Sequence, residues 1–71
     1  MDLHEELVAR RRQKPFEPFR IISKDGTAVE VTRQLMFGFN GRLVLVARDS
    51  GGSWEARYSD VAFIEPLTPV G

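Results

Sequence analysis

Five consecutive apolar residues, Leu43-Val44-Leu45-Val46-Ala47, stand between Arg42 and Arg48 and form the longest uninterrupted apolar run in the chain. Turn-forming residues bound the run, Asn40-Gly41 before it and Asp49-Ser50-Gly51-Gly52-Ser53 after it. A short aliphatic, β-branched run of this kind reads as a strand covered on both faces, and it is far below the roughly 18 residues of a membrane span. The remaining apolar segments alternate with polar residues. Each has one face to bury, and the central run is what they are expected to bury it against.

Residues 2–13 read as a helix. Asp2 is a capping residue, Glu5 and Glu6 fall in the first turn, and Arg10, Arg11 and Arg12 fall in the last. That charge order suits the helix dipole at both ends. Leu3 and Leu7 are four apart and share a face with Val8, a narrow stripe. About twelve residues are marginal as a free helix, so this one needs docking. Lys14-Pro15-Phe16-Glu17-Pro18-Phe19 ends it, because each proline lacks a donor and pushes its predecessor toward extended geometry. Phe16 and Phe19 are the expected anchors of this connector; a proline-rich ligand for a partner domain is the other reading.

Residues 19–24 form the first expected strand, and Asp25-Gly26 the first hairpin turn. Residues 27–33 return with Val29 and Val31 on one face and Ala28, Glu30 and Thr32 on the other. Residues 34–39 continue that strand, with Gly38 marking a bulge or bend. Asn40-Gly41 is the second hairpin turn, leading into the central run. Residues 54–58 alternate Trp54, Ala56 and Tyr58 with Glu55 and Arg57, giving a fourth strand. Ser59-Asp60 is a short break, residues 61–64 are a fifth strand stopped by Pro66, and residues 67–71 are a loose tail. The expected fold is therefore mainly β. A short N-terminal α-helix precedes a five-stranded, strongly bent antiparallel small barrel over residues 19–66.

The chain has 71 residues, which bounds it to one domain with a thin core. Domains this small lean on disulfides, metals or self-association. With no cysteine and a single histidine, His4, self-association is the aid left open. Ten Lys and Arg balance ten Asp and Glu, so there is no overall drive toward nucleic acid or an anionic membrane. The acidic N-terminus lacks the apolar core of a secretory signal, and a cytoplasmic location without membrane association is expected.

A short helix, a basic segment, an Asp-Gly hairpin, a long bent second strand and a brief break before the fifth strand together resemble the Sm-like fold. The nearest type is the bacterial Sm-like RNA chaperone, and the resemblance covers residues 7–66. It implies a closed ring of about five to seven copies in which the fourth strand of one subunit pairs with the fifth of the next. Trp54, Ala56, Tyr58, Val61 and Phe63 are then the interface. Exposed sheet edges favour the same outcome independently. The chaperones stack RNA bases near the turn between those strands with a Tyr-Lys-His motif. Tyr58-Ser59-Asp60 keeps the tyrosine, loses the cation and the imidazole, and sets a carboxylate where phosphate approaches. The chaperones' arginine-rich rim is matched by Arg10-Arg11-Arg12-Gln13-Lys14, four cations in five residues. The segment Pro15-Phe16-Glu17-Pro18-Phe19-Arg20, followed by Asp25-Gly26, also resembles a group of small uncharacterised bacterial proteins, which implies no activity.

The candidate RNA-binding residues are Arg10, Arg11, Arg12, Lys14, Phe39, Asn40 and Tyr58. Solvated arginines at a helix end are the simpler reading of the basic cluster. Phe37 reads as core, whereas Phe39 beside the Asn40-Gly41 turn reads equally as core or as a base-stacking platform. Trp54 reads as core or interface and His4 as a solvated helix residue. No enzyme is expected, because no paired carboxylates, activated nucleophile or phosphate loop is present, and no cofactor or metal is expected either. The alternative to a ring that binds RNA is an SH3-like protein-interaction or structural module that binds no nucleic acid.

Overall fold

The computed structural model describes residues 2–67. The chain is mainly β, with one N-terminal helix and six strands in two small antiparallel sheets. Helix α1 spans Leu3–Arg12. Asp2 caps it by accepting from the Glu5 amide at 2.8 Å, as its position predicts. Gln13 leaves the helix in extended geometry, and the Lys14–Pro15 peptide that follows is cis. Leu7 is the one fully buried residue of α1, while Leu3 packs on the core half-exposed.

The first sheet has the order β2-β1-β6, from β1 (Phe19–Ser23), β2 (Ala28–Val31) and β6 (Val61–Pro66). Phe19, Ile21, Val29 and Val31 point inward, so the predicted alternation holds. On the outer face Arg20 lies opposite Glu30 on one side and Glu65 on the other, with ion pairs of 3.0 and 3.1 Å. The second sheet has the order β3-β4-β5, from β3 (Phe37–Phe39), β4 (Leu43–Ala47) and β5 (Ser53–Arg57). The core lies between the sheets and under α1, where Leu7, Phe19, Ile21, Phe37, Val44 and Val46 meet.

Four expectations need correction. The sheets do not form one closed five-stranded barrel: the expected second strand is two strands, β2 and β3, separated by a 3-10 turn at Gln34–Met36. The bend therefore lies at Gln34–Met36, and Gly38 sits in a regular ladder opposite Leu45. The central run β4 is covered on one face only: Val44 and Val46 are buried, whereas Leu43 and Leu45 are 36% and 43% exposed.

The last correction concerns the turns. The first hairpin is a three-residue loop, not a two-residue one. The Gly26 amide donates to the Ser23 carbonyl, the Ser23 amide donates to Thr27, and Gly26 takes φ +91°, a conformation costly for any residue with a Cβ. The turn at residues 48–52 repeats this pattern with Gly51 at φ +98°. At Asn40-Gly41 the loop is shifted by one. Asn40 pairs with Leu43, its Oδ1 accepts from the Arg42 and Leu43 amides, and Gly41-Arg42 form the tip. The tail expected at 67–71 lies, beyond Leu67, outside the described residues.

Candidate functional site

The three arginines of the last helical turn have different environments. The Arg10 guanidinium lies over the Phe19 ring, 5.3 Å from its centroid. Arg11 turns inward, lies over Phe37 at 4.8 Å and Phe39 at 5.9 Å, and donates from Nη2 to the Phe37 carbonyl. Its own carbonyl accepts from Gln34 Nε2, so the helix end is tied to the 3-10 turn. Its Nε–H is buried without a partner. Arg11 is thus largely consumed in docking the helix. Arg12 and Lys14 are exposed and form no ion pair among the described residues. The groove beside Arg12 is also lined by Glu6 and Glu17, which offset its charge toward an anion.

Phe39, Asn40 and Tyr58 come together, and they bring His4 with them. The Tyr58 hydroxyl donates to the Asn40 carbonyl, and His4 Nδ1 lies 3.0 Å from the same hydroxyl. The His4 ring stands edge-on to Phe39 at 5.5 Å, and Phe39 stacks parallel to Phe37 at 5.9 Å. Partial burial, then the charge of Asp2, raises the Tyr58 phenol above its ordinary value. The phenol therefore stays neutral and serves as a fixed bridge between the N-terminal helix and the hairpin tip. His4, read from the sequence as merely solvated, is part of this bridge. Its partner is 54 residues away, which no local pattern reveals.

Beside the bridge, an open groove of about 750 Å³ is lined by Asn40, Arg42, Leu43, Arg57, Tyr58 and Ser59, with no carboxylate among them. Arg42 reaches this position because the hairpin tip is shifted, and Arg57 because it lies beside Leu43 across the ladder. Neither arginine was a candidate from the sequence. The alternation around Arg57 was visible there, but its neighbour across the strand pair was not.

The proposed interface residues fall on two open edges. β5 is bonded only to β4, and β6 only to β1. A 3-10 turn, Tyr58–Asp60, hands the chain from one edge to the other. The Tyr58 amide donates to Arg42 at 2.8 Å, extending the β4–β5 ladder, and Asp60 accepts from Lys24 at 2.9 Å beside β1. Trp54 and Ala56 face inward and half-buried, Val61 is buried, and Phe63 is 52% exposed. No His, Cys, Asp or Glu cluster suited to a metal is present among the described residues, and no described helix is long and apolar enough to cross a membrane. No protein-family model matches this chain, and no curated protein or solved structure matches it either.

Proposed function

We propose that this chain is a self-assembling small β module of the Sm-like type, whose two sheets are the halves of an opened small barrel. β2, the Gln34–Met36 turn and β3 take the part of one bent strand shared between the halves. The observation that carries the reading is the pair of unpaired edges, β5 and β6, consecutive in the chain and separated by one 3-10 turn. Unpaired backbone donors and acceptors on both invite the edge of another copy. A ring of about five to seven copies leaves neither of these two edges open.

The test is mass in solution by light scattering. A ring mass supports the reading, and a monomer at high concentration removes it. Phe63→Lys places a charge on an exposed position of the β6 edge without touching the core, and it is expected to lower that mass.

In this reading RNA is held electrostatically on the assembled ring, by Arg12 and Lys14 on the rim and by Arg42 and Arg57 beside Tyr58. Changing Arg12 and Lys14 to Ala, or Arg42 and Arg57 to Ala, is expected to weaken RNA binding and flatten its salt dependence. Unchanged affinity in both double variants removes the RNA reading. A module that binds no nucleic acid is the second reading, favoured by Glu6 and Glu17 beside Arg12 and by the engagement of Arg10 and Arg11 with aromatic rings. No catalytic step belongs to either.

A further inference from the structure

Of the large hydrophobic side chains left exposed among the described residues, Leu35, Leu43, Leu45 and Phe63, three gather on one surface. Leu43 and Leu45 point outward from β4, the central strand of the second sheet, and Ala47 continues their row. Leu35, 89% exposed, lines the same shallow depression as Ala47. Apolar residues scattered singly need no explanation, but a row along one sheet face does.

Gly38 is the second observation. It lies on the outer face of β3 directly opposite Leu45, because its neighbours Phe37 and Phe39 point inward. It has no positive φ, and a Cβ built on it meets nothing within 4 Å. Neither the backbone nor the packing of one chain requires glycine there, although glycine weakens a strand. The missing side chain leaves a notch beside Leu45. A notch that the single chain does not need is explained by a surface that approaches the sheet closely from outside.

The charges identify that surface. Glu55 and Arg57 are successive outward residues of β5, paired across the ladder with Leu45 and Leu43. Neither forms an ion pair among the described residues. A two-fold axis in the plane of the interface, passing between the Leu43–Arg57 and Leu45–Glu55 rows, sets Leu43 over Leu45 of a second copy. The same axis sets Arg57 over Glu55 and Glu55 over Arg57. The face is self-complementary in both hydrophobicity and charge, which is what a two-fold interface requires.

We propose that the outer face of β3-β4-β5 is a docking surface for a second copy of this chain, packed sheet on sheet about 10 Å apart, with the Gly38 notch beside Leu45 giving room to the partner's Leu43 seated over it. This contact is separate from the edge pairing of β5 and β6, but it takes Leu43 and Arg57 from the groove beside Tyr58, so a second copy and RNA at Arg57 exclude each other. If edges and faces both engage, the particle holds an even number of copies, two rings back to back. If faces alone engage, it is a dimer.

The test is sedimentation equilibrium on the full chain with four variants, each checked for folding by circular dichroism. Gly38→Val fills the notch with a residue that the strand and the open space accept. It is expected to weaken association at least about tenfold while leaving thermal stability at low concentration unchanged or higher. Glu55→Arg and Arg57→Glu, taken singly, oppose like charges and are expected to weaken it similarly. The double variant carrying both exchanges restores the pairing and the parent mass. If all four variants keep the parent mass, or if the double variant is no better than the singles, the face contact is wrong. A parent ring insensitive to these variants but broken by Phe63→Lys overturns the face proposal alone. A parent sensitive to these variants but indifferent to Phe63→Lys overturns the edge reading alone, and a parent that is monomeric at high concentration overturns both.

Discussion

Leu7 is where the helix is fixed to the sheets, and Leu7→Ala tests whether that docking carries the stability assigned to it. Leu7 is fully buried and is the one buried residue on α1. A ten-residue helix is marginal by itself, so its persistence depends on this contact and on the Arg11 tether. The substitution deletes three carbons, about 2.5 kcal/mol of transfer free energy at about 0.8 kcal/mol each. The cavity left in the core beneath α1 raises the expected loss to about 3–4 kcal/mol. A chain of this length has about 4–11 kcal/mol in total, so the variant loses about a quarter of its stability or more. The assay is urea unfolding followed by far-ultraviolet circular dichroism, which sees the helix, and by fluorescence of Trp54, the sole tryptophan, on β5. The two transitions are expected to coincide in the parent and to shift together in the variant. A loss below about 1 kcal/mol, or helix signal lost well before the Trp54 transition, refutes the argument that α1 belongs to the cooperative core.

Arg11→Ala is expected to cost about 1–2 kcal/mol, because it removes two ring contacts and the bond to the Phe37 carbonyl, whereas Arg12→Ala, on an exposed side chain, is expected to change stability little; equal effects in a urea titration refute the distinction. The Thr27 amide, then its hydroxyl, holds the Asp25 carboxyl below its ordinary value of about 3.9. Its contribution is full above that value and is lost as pH falls through the lower folded one, so Asp25→Asn is expected to flatten the acid limb of a stability–pH curve between pH 5 and 2; an unchanged slope refutes it. Trp54→Asp puts a carboxylate on the half-buried inner face of β5 and is expected to lower both unfolding midpoint and assembly mass; a variant matching the parent in both refutes the placement of this strand.

The elements that were legible in the sequence are those set by neighbours along the chain. Asp2, the prolines at 15 and 18, and the alternation through Val29 and Val31 each act within a few residues, and each is found where it was read. The strand break at Gln34–Met36 was not legible. Leu35, Met36 and Phe37 look like a continuing strand, and Leu35 proves to be nearly fully exposed. Gly38 drew the expected bend to itself because a glycine in a strand pattern has several meanings that one sequence does not separate. Asn40-Gly41 drew the turn one residue early because Asn40 acts through its side chain, capping the amides of Arg42 and Leu43, instead of through a left-handed backbone. The basic run had the same limit. Arg10, Arg11 and Arg12 are chemically identical in sequence, and only the positions of Phe19, Phe37 and Phe39, far along the chain, decide which of them is free.

The central run raises the same problem in sharper form. Five apolar residues in a row predict a strand covered on both faces, yet the single chain covers only the face of Val44 and Val46. Patterning reflects burial in the state that functions, and that state need not be the monomer. If Leu43 and Leu45 were ordinary surface positions, polar residues there would remove an aggregation risk at little cost to the fold. They stand next to a glycine the chain does not need and beside Arg57 and Glu55, which form no ion pair among the described residues, and the proposed face contact supplies the second cover from outside. Under the face-contact proposal the mismatch between the run and its observed burial reflects assembly; the alternative is a plain aggregation liability, and Gly38→Val separates the two explanations. Under an aggregation liability the added side chain leaves association unchanged or increases it, and under a fitted interface it weakens a contact of defined stoichiometry.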